Sequence, residues 1–230
     1  MKALIVTNSS FIKRNFTNYC KKKKIKFFSL KDIDFNSKKI IKKIKKINPN
    51  FVIIKTGMSG GIQFNIKHSL DILNYNTVTF AKIINCLYAA SIKNVYFVSA
   101  SCIYPKIEKR QIKETDLLTG KFEETSMSFS LSNLLAYGMC KEINKNKLFN
   151  YINVVPATLY GPYYSKNQSD EHVLTAMLNK FSKNDLMITH YGDGKSKREF
   201  LYIYDLFDSI YYMYKKKIKK KLINVGTGRD

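Results

Sequence analysis

The chain has 230 residues, 45% of them hydrophobic, which excludes a disordered polymer and leaves room for one domain with a sizeable core and at most a small second lobe. Its formal net charge is +23, yet only four arginines, Arg14, Arg110, Arg198 and Arg229, stand among 40 basic residues. Arginine is the preferred reader of bases and phosphates; the lysines gather instead on amphipathic stretches such as 38–47 and accompany Ile, Asn, Phe and Tyr, the residues of A/T-rich codons, so the charge reads as a solvated surface and no nucleic-acid partner is expected.

The N-terminus opens on a short apolar run, 3–6, followed by polar residues with no small-residue cleavage site, which reads as a strand and not as a signal peptide. A helix is predicted over 11–23 and a strand over 26–29. Residues 37–47 carry apolar side chains at 40, 41, 44 and 47, the spacing of an amphipathic helix. A strand over 51–54, a long helix over 70–90, a strand over 95–99, a helix over 131–146 and a strand over 152–155 follow. Beyond them come a helix near 172–181, a strand near 186–191, a helix near 206–214 and a strand over 222–225. No apolar run reaches the length of a membrane span. Cys20, Cys86, Cys102 and Cys140 are scattered, with no C-x-x-C and no histidine at ligand spacing, so a reducing cytoplasm and no metal site are expected.

Strands that alternate with helices build a doubly wound parallel α/β sheet, because parallel strands need long crossovers. Ligands bind such sheets at the carboxyl ends of the strands. Functional residues are therefore expected at 7–10, 55–61, 100–105 and 156–162.

Two motifs fall in those places and two more lie beyond them. Residues 100–106 read ASCIYPK, 156–162 read PATLYGP, Gly192-Asp193-Gly194 leads to Arg198-Glu199-Phe200-Leu201, and 224–228 read NVGTG. Together they resemble the extended short-chain dehydrogenase/reductases. The stretch SCIYPK, the segment KETDLLTGKFEET at 113–125, and His172 before an apolar helix resemble the GDP-L-fucose synthases in particular. The resemblance runs the length of the chain. It implies a Rossmann-like dinucleotide-binding domain over 1–160. A small, incomplete substrate lobe over 161–230 would be interleaved with the last strands of the sheet. Family members continue for several elements past Gly228, so a fragment or a truncated form is expected. The resemblance also implies NADP as cofactor, a GDP-deoxysugar as substrate, a role in polysaccharide synthesis, and dimerisation through the helix that bears the family's Tyr and Lys.

That family epimerises a keto sugar and then reduces it with a Ser, a Tyr and a Lys. The three positions fall here on Ala100, Phe129 and Asn133, so reduction is expected to be lost. Tyr137 and Lys141 have the right Tyr-x-x-x-Lys form but lie two turns farther along the same helix, where they read as a packed tyrosine and a solvated lysine. The glycines of the family's cofactor loop fall on Thr7, Ser10 and Lys13, so weak or absent dinucleotide binding is expected. Ser9 or Ser10 can cap the following helix, and Ser10 reads more readily as a cap than as a phosphate ligand. Cys102 and His172 match the epimerisation pair, with Ser101 beside them. A buried small hydrophobe and a helix cap are the plain alternatives for the two. Arg198 matches a nucleotide-contacting arginine, and Thr158 replaces a substrate-side asparagine. Gly60-Gly61-Ile62 is kept, whereas Lys55-Thr56-Gly57-Met58 departs from the small residues usual there. The chain thus reads as a nucleotide-sugar epimerase/reductase homologue without its reductase. The alternatives are a non-catalytic nucleotide-sugar binder that dimerises with itself or with an intact paralogue, or a decayed gene product.

Overall fold

The computed structural model describes residues 1–36, 39–107, 110–163 and 197–229, with Leu174, Met177 and Phe181 as single helical positions. Its elements alternate as the sequence periodicity requires: β1 (Lys2–Val6), α1 (Ser10–Lys22), β2 (Lys26–Leu30), α2 (Lys39–Ile47), β3 (Phe51–Ile54), α3 (Ile62–Lys67), α4 (Ser69–Ala89), β4 (Asn94–Val98), α5 (Met127–Ile143), β5 (Asn150–Pro156), β6 (Thr158–Tyr160), β7 (Phe200–Tyr202), α6 (Ile203–Lys215) and β8 (Leu222–Val225). Six strands form one parallel sheet in the order β2-β1-β3-β4-β5-β8, and β6 pairs with β7 in a small parallel sheet of its own. This is a Rossmann-like α/β fold.

Successive side chains on a strand point to opposite faces, and each central strand therefore feeds two cores. Ala3, Ile5 and Ile53 face the layer of α1 and α6, where Phe16 meets Phe207 edge-on at 5.3 Å. Leu4, Val6, Val52 and Ile54 face α2, α4 and α5, where Phe80 meets Phe97 at 5.0 Å. Strands covered on both faces read as continuous apolar runs, as FVII in β3 does.

The chain leaves β1 for β2 on one side and returns to β3 on the other. That reversal opens a crevice above the carboxyl ends of β1 and β3.

Some boundaries differ from the sequence reading for local reasons. Helix α5 begins a turn earlier than 131 because two of its serines are accommodated inside it: Ser130 Oγ bonds back to the Ser126 carbonyl at 2.9 Å and Ser132 Oγ to the Phe129 carbonyl at 2.9 Å. Such back-bonding lets serine, normally a weak helix former, sit in a helix interior. The three-residue strands β6 and β7 are too short to show a period. The expected helix at 172–181, apart from the three single positions, and the strand at 186–191 lie outside the described residues, as does Ser37 of the expected second helix. Among the described residues no helix is long and apolar enough to cross a membrane.

Candidate active site

A cleft of about 460 Å³ opens at the carboxyl ends of β1, β3, β4 and β5. Its wall comes from all four stretches marked in the sequence: Asn8 to Ser10 after β1, Lys55 to Gly57 after β3, Ala100 and Ser101 after β4, and Ala157 and Thr158 after β5. Phe129 from α5 completes it. The expected positions 100 and 129 thus face one space, together with Ser9, Ser10, Ser101 and Thr158.

Asn133 is turned away from that space. It is buried, its Oδ1 accepts a hydrogen bond from Ser99 Oγ at 3.0 Å, and its Nδ2 donates to the Phe129 carbonyl at 2.8 Å. Both ends of the amide are used by the protein itself. Tyr137 packs against the small cluster of Ile103, Tyr104, Val155 and Leu222, and Lys141 is solvent-exposed. Arg198 is exposed as well, and its guanidinium donates to the Lys197 carbonyl. His172 lies outside the described residues, as do Gly192, Asp193 and Gly194.

The turn before α1 spends two of its own donors. Thr7 is buried and its hydroxyl accepts the Ser9 N–H at 3.1 Å; Ser9 Oγ accepts the Ile12 N–H at 3.3 Å. Ser9, not Ser10, is the N-cap, because Ser10 already belongs to the first turn of the helix. Lys13 is exposed, so its side chain costs helix–strand packing nothing. The third of the expected obstructions is therefore not one of packing.

Cys102, next to Ser101 in the chain, is partly buried and is not among the residues that line the cleft; its carbonyl accepts from Ser130 Oγ at 2.7 Å. Burial pushes its thiol pKa up, while Ser130 and the Lys55 ammonium pull it partway back. Burial in turn pushes Lys55 below the ordinary lysine range, opposed by the charge of a Cys102 thiolate. Lys55 is the one charged side chain among the described residues that line the cleft.

Two supporting residues, Asp32 and Asn76, escaped the sequence reading. Asp32, buried two residues past β2, accepts from Thr56 Oγ1 at 2.9 Å and from Tyr75 OH at 2.8 Å, and its N–H donates to Asn8 Oδ1 at 3.3 Å. This network links the connections after β1, β2 and β3 to α4 beside the cleft. Asn76, fully buried on α4, accepts the Met58 N–H at 2.6 Å and donates to the Met58 carbonyl at 2.8 Å. Gly57, with φ +116°, fits beneath that clamp; a Cβ there would stand 2.8 Å from Phe80 Cζ and 3.0 Å from Asn76 Oδ1. An acidic residue about twenty positions after the loop was the available signal for Asp32.

Residues 8–226 match the NAD dependent epimerase/dehydratase family, and the chain belongs to it. It is 30% identical over 241 aligned positions to the GDP-L-colitose synthase of Yersinia pseudotuberculosis, covering 100% of this chain and 78% of that protein. It is 28% identical to the GDP-L-fucose synthase of Escherichia coli K12 over 78% of this chain, spanning 60% of that relative's length. Among solved structures, a GDP-D-glycero-L-gluco-heptose synthase of Campylobacter jejuni, crystallised in the presence of NADPH, superposes with a TM-score of 0.82 at 21% identity. It covers 100% of this chain and 81% of that one. A GDP-mannoheptose C4 reductase of the same organism, with NADP bound, gives 0.81 at 21% identity, over 99% and 81%. These two likenesses establish the fold.

Proposed function

We propose, from membership of this family, that the chain is a cytoplasmic nucleotide-sugar epimerase homologue that acts on a GDP-4-keto-6-deoxy sugar and has lost hydride transfer. The observation that carries this reading is the composition of the cleft wall. Where a carbonyl reductase needs hydroxyl donors, Ala100 and Phe129 present none, and Asn133 is spent on Ser99 and the Phe129 carbonyl. A phenyl ring has no proton to give to a forming alkoxide.

In this reading the loop before α1 holds a dinucleotide weakly or not at all. A pyrophosphate at a helix N-terminus is held by free backbone N–H groups; here the Ser9 and Ile12 N–H groups are taken by Thr7 and Ser9. Asp32, Thr56 and Tyr75 also bridge the corner next to the cleft. No step is therefore routed through a nicotinamide. What remains is proton exchange beside the keto group. Cys102 and His172 act as the acid and the base, and Thr158 and Arg198 serve the sugar nucleotide.

Solvent deuterium uptake at C3 and C5 of the keto sugar, followed by NMR, tests the epimerase half. NADPH consumption with the same sugar tests the other half. Uptake without NADPH oxidation is the expected pair of results. Oxidation at the rate of an intact relative refutes the loss of hydride transfer, and micromolar NADPH affinity by calorimetry refutes the closed loop.

A second reading, a non-catalytic dimerisation partner, is favoured by one feature. Met127, Leu131 and Leu135 form an exposed apolar stripe at four-residue spacing on α5. Deuterium uptake separates the two.

A further inference from the structure

Removing a proton beside a ketone leaves an enolate, with the electron pair of the broken C–H bond carried onto the carbonyl oxygen. Something must receive that negative charge in the absence of the two hydroxyls at 100 and 129. The geometry points to Lys55 as a catalytic residue: its ammonium, at the end of β3, stabilises the carbonyl oxygen while the acid–base pair of the proposed function moves the proton on carbon. This inference rests on the epimerase reading above.

Three independent features support it. Lys55 lines the same cleft as Ala100, Ser101 and Phe129 and is the sole charged group among the described residues there. Among the described residues no carboxylate pairs with it, and the Asp32 carboxylate is already engaged by Thr56 and Tyr75. Among the described residues, Cys102, on the connection between β4 and α5, is the titratable group whose charge acts on it. The rest of the lining carries hydroxyls, amides and apolar groups.

The position is also costly. A partly buried ammonium without a counter-ion destabilises the folded state, and burial lowers its pKa accordingly. A lysine used merely as a surface cation would have no reason to sit there. A group that meets charge as it develops, inside a sheltered cleft, is the arrangement that lowers a barrier most.

The step is balanced. The base on one face takes the carbon-bound proton, the electron pair moves to oxygen, and the Lys55 ammonium donates a hydrogen bond to that oxygen. The acid on the other face returns a proton to carbon, and the carbonyl is restored. No electron leaves the sugar, so no oxidant or reductant is required.

The test uses the full chain with GDP-4-keto-6-deoxymannose in deuterated buffer. Wild type, Lys55→Met, Lys55→Arg and Lys55→Ala are compared, and thermal unfolding of each is recorded. Lys55→Met is expected to slow deuterium uptake about a hundredfold to a thousandfold, the usual effect of removing one such donor, with a melting temperature equal to or above wild type. Lys55→Arg is expected to keep a substantial part of the rate, and ethylammonium to restore part of it to Lys55→Ala. Uptake by wild type should fall as pH rises through the titration of Lys55, and Lys55→Arg should hold its rate to higher pH. A Lys55→Met protein that exchanges as fast as an exchanging wild type overturns the role of Lys55 and leaves the epimerase reading standing. A wild type that exchanges nothing overturns both. Should Lys55→Met fail to fold, amine rescue of Lys55→Ala decides: no rescue overturns the assignment.

Discussion

The loop that follows β3 is held by one side chain, and removing that side chain is a sharp test of how the cleft is built. Asn76→Ala deletes two hydrogen bonds to Met58, at 2.6 and 2.8 Å. Each is worth about 1 kcal/mol net. Because Met58 is itself only partly buried, water reaches the freed backbone groups and the full desolvation penalty is not incurred. The vacated amide volume beside Phe80 adds a little. The sum is about 2–3 kcal/mol, which in a domain of this size lowers the melting temperature by roughly 5–10 °C. The larger effect should be local. Gly57 and Ser59 line the cleft, so amide exchange at 57–59 is expected to accelerate far more than exchange in β3, which stays paired with β1 and β4. The assay is urea unfolding followed by circular dichroism, together with hydrogen–deuterium exchange read by mass spectrometry. A loss below about 0.5 kcal/mol with unchanged exchange at 57–59 refutes the clamp.

Three further outcomes follow from particular contacts. Ser9→Ala should cost about 1 kcal/mol through loss of the cap and Ser10→Ala close to nothing, as read from urea midpoints; equal losses would return the cap to Ser10. Arg110 forks onto Asp116 at 2.7 Å on both oxygens and holds its carboxyl down at about 2 against an ordinary 3.8. A depressed carboxyl stabilises the fold above its unfolded pKa and loses that contribution as pH falls through the folded one. The stability gap between wild type and Asp116→Asn should therefore be full above about pH 4 and close by about pH 2; a gap that stays constant across that range contradicts the pairing. The Tyr96 hydroxyl is buried without a hydrogen-bond partner, so Tyr96→Phe should leave the unfolding midpoint unchanged or raise stability by about 1 kcal/mol. A clear loss would reveal a partner.

The sheet was legible in the sequence because strands buried on both faces must be apolar throughout. ALIV, FVII and the run around Val95 can serve in little else once helical periods separate them. The places where functional residues gather were legible for a topological reason: parallel strands all deliver their carboxyl ends to one side. Phe129 and Ala100 could be placed in one site through motif register, although they lie 29 positions apart. Helix α5 was partly hidden because its serines spend their hydroxyls on the helix's own carbonyls, which leaves no sequence trace. Lys55, Asp32 and Asn76 were illegible as a group. Each is an ordinary polar residue in its own segment, and their meaning comes from convergence across β2, β3 and α4.

The same convergence bears on whether this chain is decaying. A sequence drifting without constraint should accumulate unpaired buried polar atoms wherever substitutions fall. Such atoms exist here, on Tyr96, Tyr151, Asn153 and Asn15, but they sit within the strands and helices of the core. Around the cleft the replaced positions are satisfied. Thr7 takes the Ser9 N–H, Asn133 bonds to Ser99 and to the Phe129 carbonyl, and Asp32 gathers Thr56, Tyr75 and its own backbone tie to Asn8. The loop before α1, where the resembled family carries glycines, closes two of its N–H groups on its own hydroxyls, as a constrained turn is expected to do. Lys55 stands on the cleft wall, while Asn133 is turned away from it and bonded internally; a second ammonium on that wall would repel the first in a sheltered space.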